Sequence, residues 1–207
     1  VLFLCMLLNE FKNHFTISLL DHYSKSEISA FFRRLTDFYF QWPPTFSVLN
    51  PRYKLNQQEL QKLFFALNEL NKFKPIQYII NECYFYGRKF FVNKEVLIPR
   101  PETEELVSWV LNDFDGAKNY MKLLELGTGS GCIAISLAKE HSKFNIEALD
   151  VSKTAIEIAI KNAIKHHVEI DFIQKDMAVL DVWNKPVDLI ISNPPYIDPR
   201  DKSEMLP

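Results

Sequence analysis

Apolar residues in the first 75 positions recur at three- and four-residue spacing: Leu19-Leu20, Ile28, Phe31-Phe32, Leu35 and Phe38-Tyr39-Phe40. That period lays one apolar stripe along each helix and lacks the alternation of a half-buried strand. Trp42-Pro43-Pro44 breaks the run, because proline has no N–H and biases its predecessor away from the helical region. A further helix is predicted over 57–73, with Leu60, Leu63-Phe64, Leu67 and Leu70 on one face and Pro75 closing it. The expectation for residues 1–75 is a small helical bundle without strands.

The pattern then changes. Tyr78-Ile79-Ile80, Tyr84-Phe85-Tyr86 and Phe90-Phe91-Val92 are aromatic and branched segments suited to strands, with Gly87-Arg88 expected as the turn of a β-hairpin. Pro101 suits the first turn of a helix, and Glu102, Glu104 and Glu105 behind it complement the positive end of the helix dipole, so a helix is predicted to about residue 113. From residue 122 strands and helices alternate. Strands are predicted over 122–126, 145–149, 169–174 and 187–192, and helices over 131–140 and 153–166. Such alternation means right-handed βαβ units and a parallel sheet, an α/β fold.

Composition narrows the options. The 207 residues carry 24 Lys+Arg against 26 Asp+Glu, a net charge of -2, which argues against a protein held on nucleic acid by bulk electrostatics. The charge is mildly uneven, nine basic against six acidic residues in 1–75 and fifteen against twenty beyond, which fits a solvated helix face better than a basic surface facing a partner. Cys5, Cys83 and Cys132 are odd in number and far apart, which fits reduced thiols in a cytoplasmic protein rather than a disulfide framework or a zinc site. The apolar run 1–8 is far short of the ~20 residues that span a bilayer; it is expected to begin a buried helix in a trimmed or fragmentary chain.

Four segments carry candidate chemistry. Glu125-Leu126-Gly127-Thr128-Gly129-Ser130-Gly131 ends the first strand of the sheet; its glycines let the backbone turn sharply and let a ligand lie against bare peptide. The spacing is not that of the dinucleotide fingerprint, and the Lys-Ser/Thr of a phosphate-clamping loop is missing. Glu125 at the strand end could pair with a ligand ammonium. Asp150 follows the second strand, 23 residues after Gly127, where a βαβ unit puts an acid on ribose hydroxyls; it could instead cap the next helix, a role that Ser152 could also fill. Asp176-Met177 lies past the third strand, an acceptor for an exocyclic amine beside an apolar lid for a flat base. Asn193-Pro194-Pro195-Tyr196 follows the fourth. There Asn193 offers an amide acceptor and donor, two prolines fix the backbone so that the Pro194 carbonyl points outward, and Tyr196 supplies a flat wall. Such a loop can hold a planar amide or amino group by its N–H atoms and aim its nitrogen at an electrophile.

In this order ELGTGSG, LDVS, KDM and SNPPY resemble the Rossmann-like class I S-adenosylmethionine-dependent methyltransferases that act on planar nitrogens. Together with Lys74-Pro75-Ile76-Gln77-Tyr78-Ile79, Phe85-Tyr86-Gly87 and Ile98-Pro99-Arg100-Pro101-Glu102-Thr103-Glu104, the chain resembles the peptide chain release factor N5-glutamine methyltransferases (the PrmC/HemK family). The resemblance implies a helical N-terminal substrate-recognition domain over 1–75, a β-hairpin connector over 76–100 and a methyltransferase domain over 101–207. It implies S-adenosyl-L-methionine held by Glu125, Gly127, Thr128, Gly129, Ser130, Gly131, Asp150, Asp176, Met177 and Asn193. It implies catalysis through Asn193, Pro194 and Tyr196, with Pro195 helping to bind the substrate, the glutamine of the GGQ motif in class 1 release factors. No metal, membrane or direct nucleic-acid partner is expected, and the expected state is a cytoplasmic monomer. Asn81 stands where the family usually has glycine, and family members continue past NPPY with further strands, so the last strand here is expected to be a sheet edge. Two competing readings use the same residues: a DNA or RNA amino-group methyltransferase, which ought to bring a basic reading surface, and a non-catalytic fragment that binds cofactor or release factor. A dehydrogenase would leave NPPY without a role.

Overall fold

The computed structural model describes residues 6–114, 120–178 and 185–194, and the chain divides into two units, Val1–Ile80 and Asn81–Pro207. In the first unit β1 (Met6–Leu7) leads into α1 (Leu8–Leu19), followed by α2 (Lys25–Phe40), α3 (Phe46–Leu49), β2 (Lys54–Leu55), α4 (Gln57–Asn71) and α5 (Ile76–Ile80). Ser24 caps α2 and Asn56 caps α4, each reciprocated by a glutamate three residues on, Glu27 and Glu59. Phe32, Leu35, Leu63 and Leu70, from the stripes that the spacing marks, meet Phe11 and Phe15 of α1 in one core.

Two expectations fail in this unit. Met6–Leu7 pairs antiparallel with Lys54–Leu55, a short ladder that the helical pattern hides. Tyr78-Ile79-Ile80 lies in α5 rather than in a strand, because Ile76, Ile79 and Ile80 follow the helical period and bury together against the bundle.

The second unit opens with the hairpin β3 (Glu82–Phe85) and β4 (Arg88–Phe91). Phe85 pairs with Arg88, so the turn is Tyr86-Gly87, one residue earlier than the glycine suggests. Both turn residues have positive φ, 47° and 71°, as a tight hairpin with right-handed strand twist requires. Tyrosine is unusual there, and Glu104 holds it by accepting from the Tyr86 N–H at 2.8 Å. Asn81 also adopts a positive φ, 53°, a conformation that asparagine tolerates better than most residues.

Then α6 (Glu102–Asp113), β5 (Met121–Leu126), α7 (Cys132–Glu140), β6 (Phe144–Asp150), α8 (Lys153–His166), β7 (Asp171–Gln174) and β8 (Leu189–Ser192) build a parallel sheet of order β7-β6-β5-β8. The central strands are apolar and buried, as a sheet covered on both faces demands: Leu123, Leu124, Ile146, Ala148 and Leu149 are all but inaccessible. Strand order runs outward from β5 to β7 and then returns to the other side of β5. The switch point between β5 and β8 is where open α/β sheets bind ligands, beyond the carboxyl ends of the strands. Among the described residues no strand lies beyond β8. Among them, too, no helix is long and apolar enough to cross a membrane.

Candidate active site

The turns after β5, β6, β7 and β8 meet on one rim around a cavity of about 350 Å³, whose remaining wall is the segment from Glu95 to Thr103. Gly127, Thr128, Gly129, Ser130, Asp150, Asp176, Met177 and Asn193 all line it. Gly131 does not line it. Pro194 follows Asn193 and is exposed, and Pro195 and Tyr196 lie outside the described residues.

The glycine loop is shaped by its own backbone. Thr128 N–H donates to the Leu149 carbonyl at 2.8 Å and Gly131 N–H to the Thr128 carbonyl at 2.8 Å, which folds the loop back over the end of β6. Gly127, Gly129 and Gly131 all have positive φ. At Gly131 there is a second reason for glycine: a Cβ there would meet the Ala159 Cβ at 3.1 Å and its Cα at 3.3 Å. The start of α7 therefore packs directly on α8. No side chain caps α7 at Gly131, and Cys132 and Ile133 of its first turn line the cavity. The positive end of the helix dipole thus faces the space where a ligand anion would lie.

Asp150 closes the loop. Its Oδ2 accepts from Gly129 N–H at 2.9 Å and its Oδ1 from Ser152 N–H at 2.9 Å. Ser152 caps α8, with Oγ accepting from Ala155 N–H, so the capping alternative falls to Ser152 and leaves Asp150 to the loop and the cavity. Each carboxylate oxygen keeps a lone pair for a hydroxyl. Asp176 accepts from the Ala178 N–H at 2.8 Å, which fixes the turn that carries Met177.

Glu125 sits elsewhere than a ligand partner would. It is 2% exposed and does not line the cavity. Its Oε2 accepts from Thr128 Oγ1 at 2.6 Å, and the Ala134 amide also bonds to the carboxyl, so it ties strand end, loop and α7 together from below. Burial is the main cause that raises its pKa, to about 8, against the pull of those two hydrogen bonds; the nearby Asp150 charge raises it further. Burial likewise pushes the Cys132 thiol up, keeping it protonated as a small apolar residue.

A stability consequence follows from Glu125. Between its ordinary pKa of 4.5 and the folded value of about 8, the folded chain keeps a proton that the unfolded chain has lost. The stability this group contributes is whole below about 4.5, falls as pH rises and is gone above about 8. Glu125→Gln keeps the shape and an acceptor but cannot ionise. Its melting temperature relative to wild type is expected to rise steadily from pH 4.5 to 8 and then level off; a difference independent of pH would contradict this assignment.

Three positioning residues escape a motif reading. Thr103 Oγ1 accepts from Asn193 Nδ2 at 3.0 Å, joining the start of α6 to the loop after β8. Glu104 holds the hairpin turn, as above. Asn162, fully buried in the middle of α8, donates through Nδ2 to the Ser130 carbonyl at 2.9 Å and to the Phe91 carbonyl at 2.9 Å. Its Oδ1 accepts from the Phe91 N–H at 2.7 Å. The one sequence signal for it was an amide on the apolar face of a helix.

A family model described as methyltransferase small domain matches residues 106–206. A protein of Flavobacterium psychrophilum named release factor glutamine methyltransferase is 40% identical over 203 residues, which is 97% of this chain and 71% of that protein. Proteins of the same name from Leptospira interrogans and Lactococcus lactis are each 44% identical, over 73% and 70% of this chain and 54% and 53% of their own lengths. The chain therefore spans between about half and 71% of these relatives. With two-fifths identity along nearly all of its length and the glycine loop, acid and asparagine gathered around one cavity, the chain belongs to the release factor glutamine methyltransferase family.

Proposed function

We propose that this protein transfers a methyl group from S-adenosyl-L-methionine to the side-chain amide nitrogen of the glutamine in the GGQ motif of class 1 release factors. The observation that carries the reading is that Asn193 lines the same cavity as the glycine loop and Asp150, so that an amide-binding group and a nucleotide-type cradle share one space.

The residues suit the cofactor. A Cβ on Gly127 would already touch the Met177 methyl at 3.4 Å, so bare peptide at 127 opens a narrow slot under an apolar side chain, which fits a flat base. Asp150 has lone pairs for ribose hydroxyls, and the first turn of α7, whose Cys132 and Ile133 line the cavity, suits a carboxylate. Glu125 acts by holding the loop in this shape. When bound, S-adenosylmethionine supplies a methyl group activated by a positively charged sulfur.

The chain's own part is alignment. The Asn193 oxygen and the Pro194 carbonyl accept the two N–H groups of the glutamine amide and turn its nitrogen toward the cofactor side of the cavity. Pro195 restricts the backbone and Tyr196 offers an aromatic face to the planar amide. Amide nitrogen is a weak nucleophile, and positioning in a near-attack geometry can supply ~7–11 kcal/mol of the barrier. As the nitrogen gives up its electron pair its hydrogens grow more positive, and the two carbonyl oxygens stabilise that charge. The amide proton is then lost to water, so no strong base is needed.

The test is transfer of labelled methyl from S-adenosylmethionine to purified class 1 release factor and, separately, to DNA and RNA. Label on the release factor alone is the expected result. Label on nucleic acid alone would overturn the reading in favour of an amino-group methyltransferase. Cofactor binding by calorimetry without transfer to any of them would overturn it in favour of a binding fragment.

A further inference from the structure

We infer that the outward face of α6, centred on Trp109, is a docking surface for the protein substrate and that the segment it receives is basic; the inference rests on the reading above in taking that substrate to be a release factor. Trp109 is 63% exposed, an unusual setting for the largest aromatic side chain. At about 100° of rotation per residue, Glu102, Glu105, Asn112 and Asp113 lie within about 60° of it around the helix axis. All four are exposed, while Thr103, Val107 and Val110 turn inward, so the ring stands among carboxylates on one coherent face.

The composition of the helix sets the sign of the partner. Its 12 residues include Glu102, Glu104, Glu105 and Asp113 and no lysine, arginine or histidine. Glu104 holds the Tyr86 N–H, and among the described residues no cation pairs with the other three. Glu102 and Glu105 favour the helix start, but Asp113 stands at the end where the dipole opposes a negative charge, so helix stability does not account for it. An exposed indole beside carboxylates suits a guanidinium or ammonium: the ring face takes the cation and the acids accept from its N–H groups. Tryptophan is also the side chain most often found at the centre of a protein interface. The location fits a protein substrate. Thr103, in the first turn of the same helix, lines the cavity and is hydrogen-bonded to Asn193. Trp109 lies about 9 Å further along the axis, a span that about three extended residues cover, so residues flanking a glutamine held at Asn193 are within reach of it.

The test measures the Kd for purified class 1 release factor in the presence of S-adenosylhomocysteine, so that no transfer occurs. Trp109→Ala and the double variant Glu102→Lys, Glu105→Lys are compared with wild type and with Glu157→Lys, an exposed carboxylate of α8 that does not line the cavity. Folding is checked by melting and by the Kd for S-adenosylmethionine, which should be the same in all four. Trp109→Ala is expected to raise the Kd for release factor about 30-fold. The double variant should raise it about tenfold at about 50 mM salt and by less at about 200 mM, as screening requires. Glu157→Lys should bind as wild type does, and kcat at saturating release factor should stay within about twofold of wild type in both α6 variants. A wild-type Kd in both α6 variants, or an equal loss in Glu157→Lys, would overturn the inference and leave the methylation reading standing. So would a wild-type dimer, seen by analytical ultracentrifugation, that Trp109→Ala abolishes, since the face would then belong to a second copy. If wild type methylates no release factor, the reading above fails, and an arginine-rich peptide followed by tryptophan fluorescence decides the surface: saturable binding that is lost in Trp109→Ala supports it, and no binding, or equal binding by both, overturns it.

Discussion

Asn193→Ala is expected to lower kcat for methyl transfer about 10²–10³-fold while S-adenosylmethionine still binds, its Kd rising no more than about tenfold. The size follows from what the side chain does. The Asn193 oxygen is one of two acceptors for a planar amide whose nitrogen must be aimed, and its hydrogen bond strengthens as charge develops, so its loss falls on the transition state more than on binding. The cofactor cradle is built from other turns, those after β5, β6 and β7, and Asn193 only borders it. Loss of cofactor binding together with activity would show that Asn193 mainly holds the cofactor. Full activity would remove it from the chemistry.

The second large effect concerns stability. Asn162→Leu is expected to destabilise the second unit by about 3–5 kcal/mol, because it leaves the Phe91 N–H, the Phe91 carbonyl and the Ser130 carbonyl without their partner at a fully buried position. Against typical domain stabilities of about 5–15 kcal/mol this is a large fraction. Asn162→Asp should do no better, since it brings a carboxylate, without water, against two carbonyl oxygens that need donors. The urea midpoint is the measurement. A loss below about 1 kcal/mol would mean that water or a shifted backbone takes over all three bonds. Because one of them holds Ser130 of the glycine loop, cofactor affinity should weaken in the same variants, by more than the change in stability at the hairpin alone would produce.

How much of this can be read from residues alone varies with the kind of order involved. The run from β5 to α8 is legible because strand and helix periods alternate there without ambiguity, and a glycine loop can stand in few other places. The positions of Gly127, Asp150, Met177 and Asn193 on one rim follow from that alternation, since every parallel strand ends on the same side. The short isoleucine helix Ile76–Ile80 is not legible, because branched residues favour strands and only packing against the bundle decides otherwise. The Tyr86-Gly87 turn is displaced by one residue for a similar reason: a tyrosine at positive φ is costly unless something holds it, and the holder, Glu104, comes from a different element.

The segment from Pro101 to Glu104 shows the difference most clearly. By composition it reads as a helix start, with acids set against the dipole, and it is one. Its side chains have further work that only the fold reveals, Thr103 on the asparagine of the β8 loop and Glu104 on the hairpin turn. Glu125 shows the converse. Its place at the end of a strand suggests a ligand partner, yet the loop folds over it, and it becomes a buried brace for the turn that holds the ligand. Contacts that join positions 18, 71 or 90 residues apart leave no local trace.

The most direct test of the central claim is peptide mass spectrometry of a class 1 release factor after incubation with the protein and S-adenosylmethionine. The account predicts one added methyl group on the GGQ glutamine side chain, absent from a release factor with that glutamine changed to alanine and absent with Asn193→Ala protein. A methyl group on any other residue, or on the GGQ peptide whether or not Asn193 is present, would contradict it.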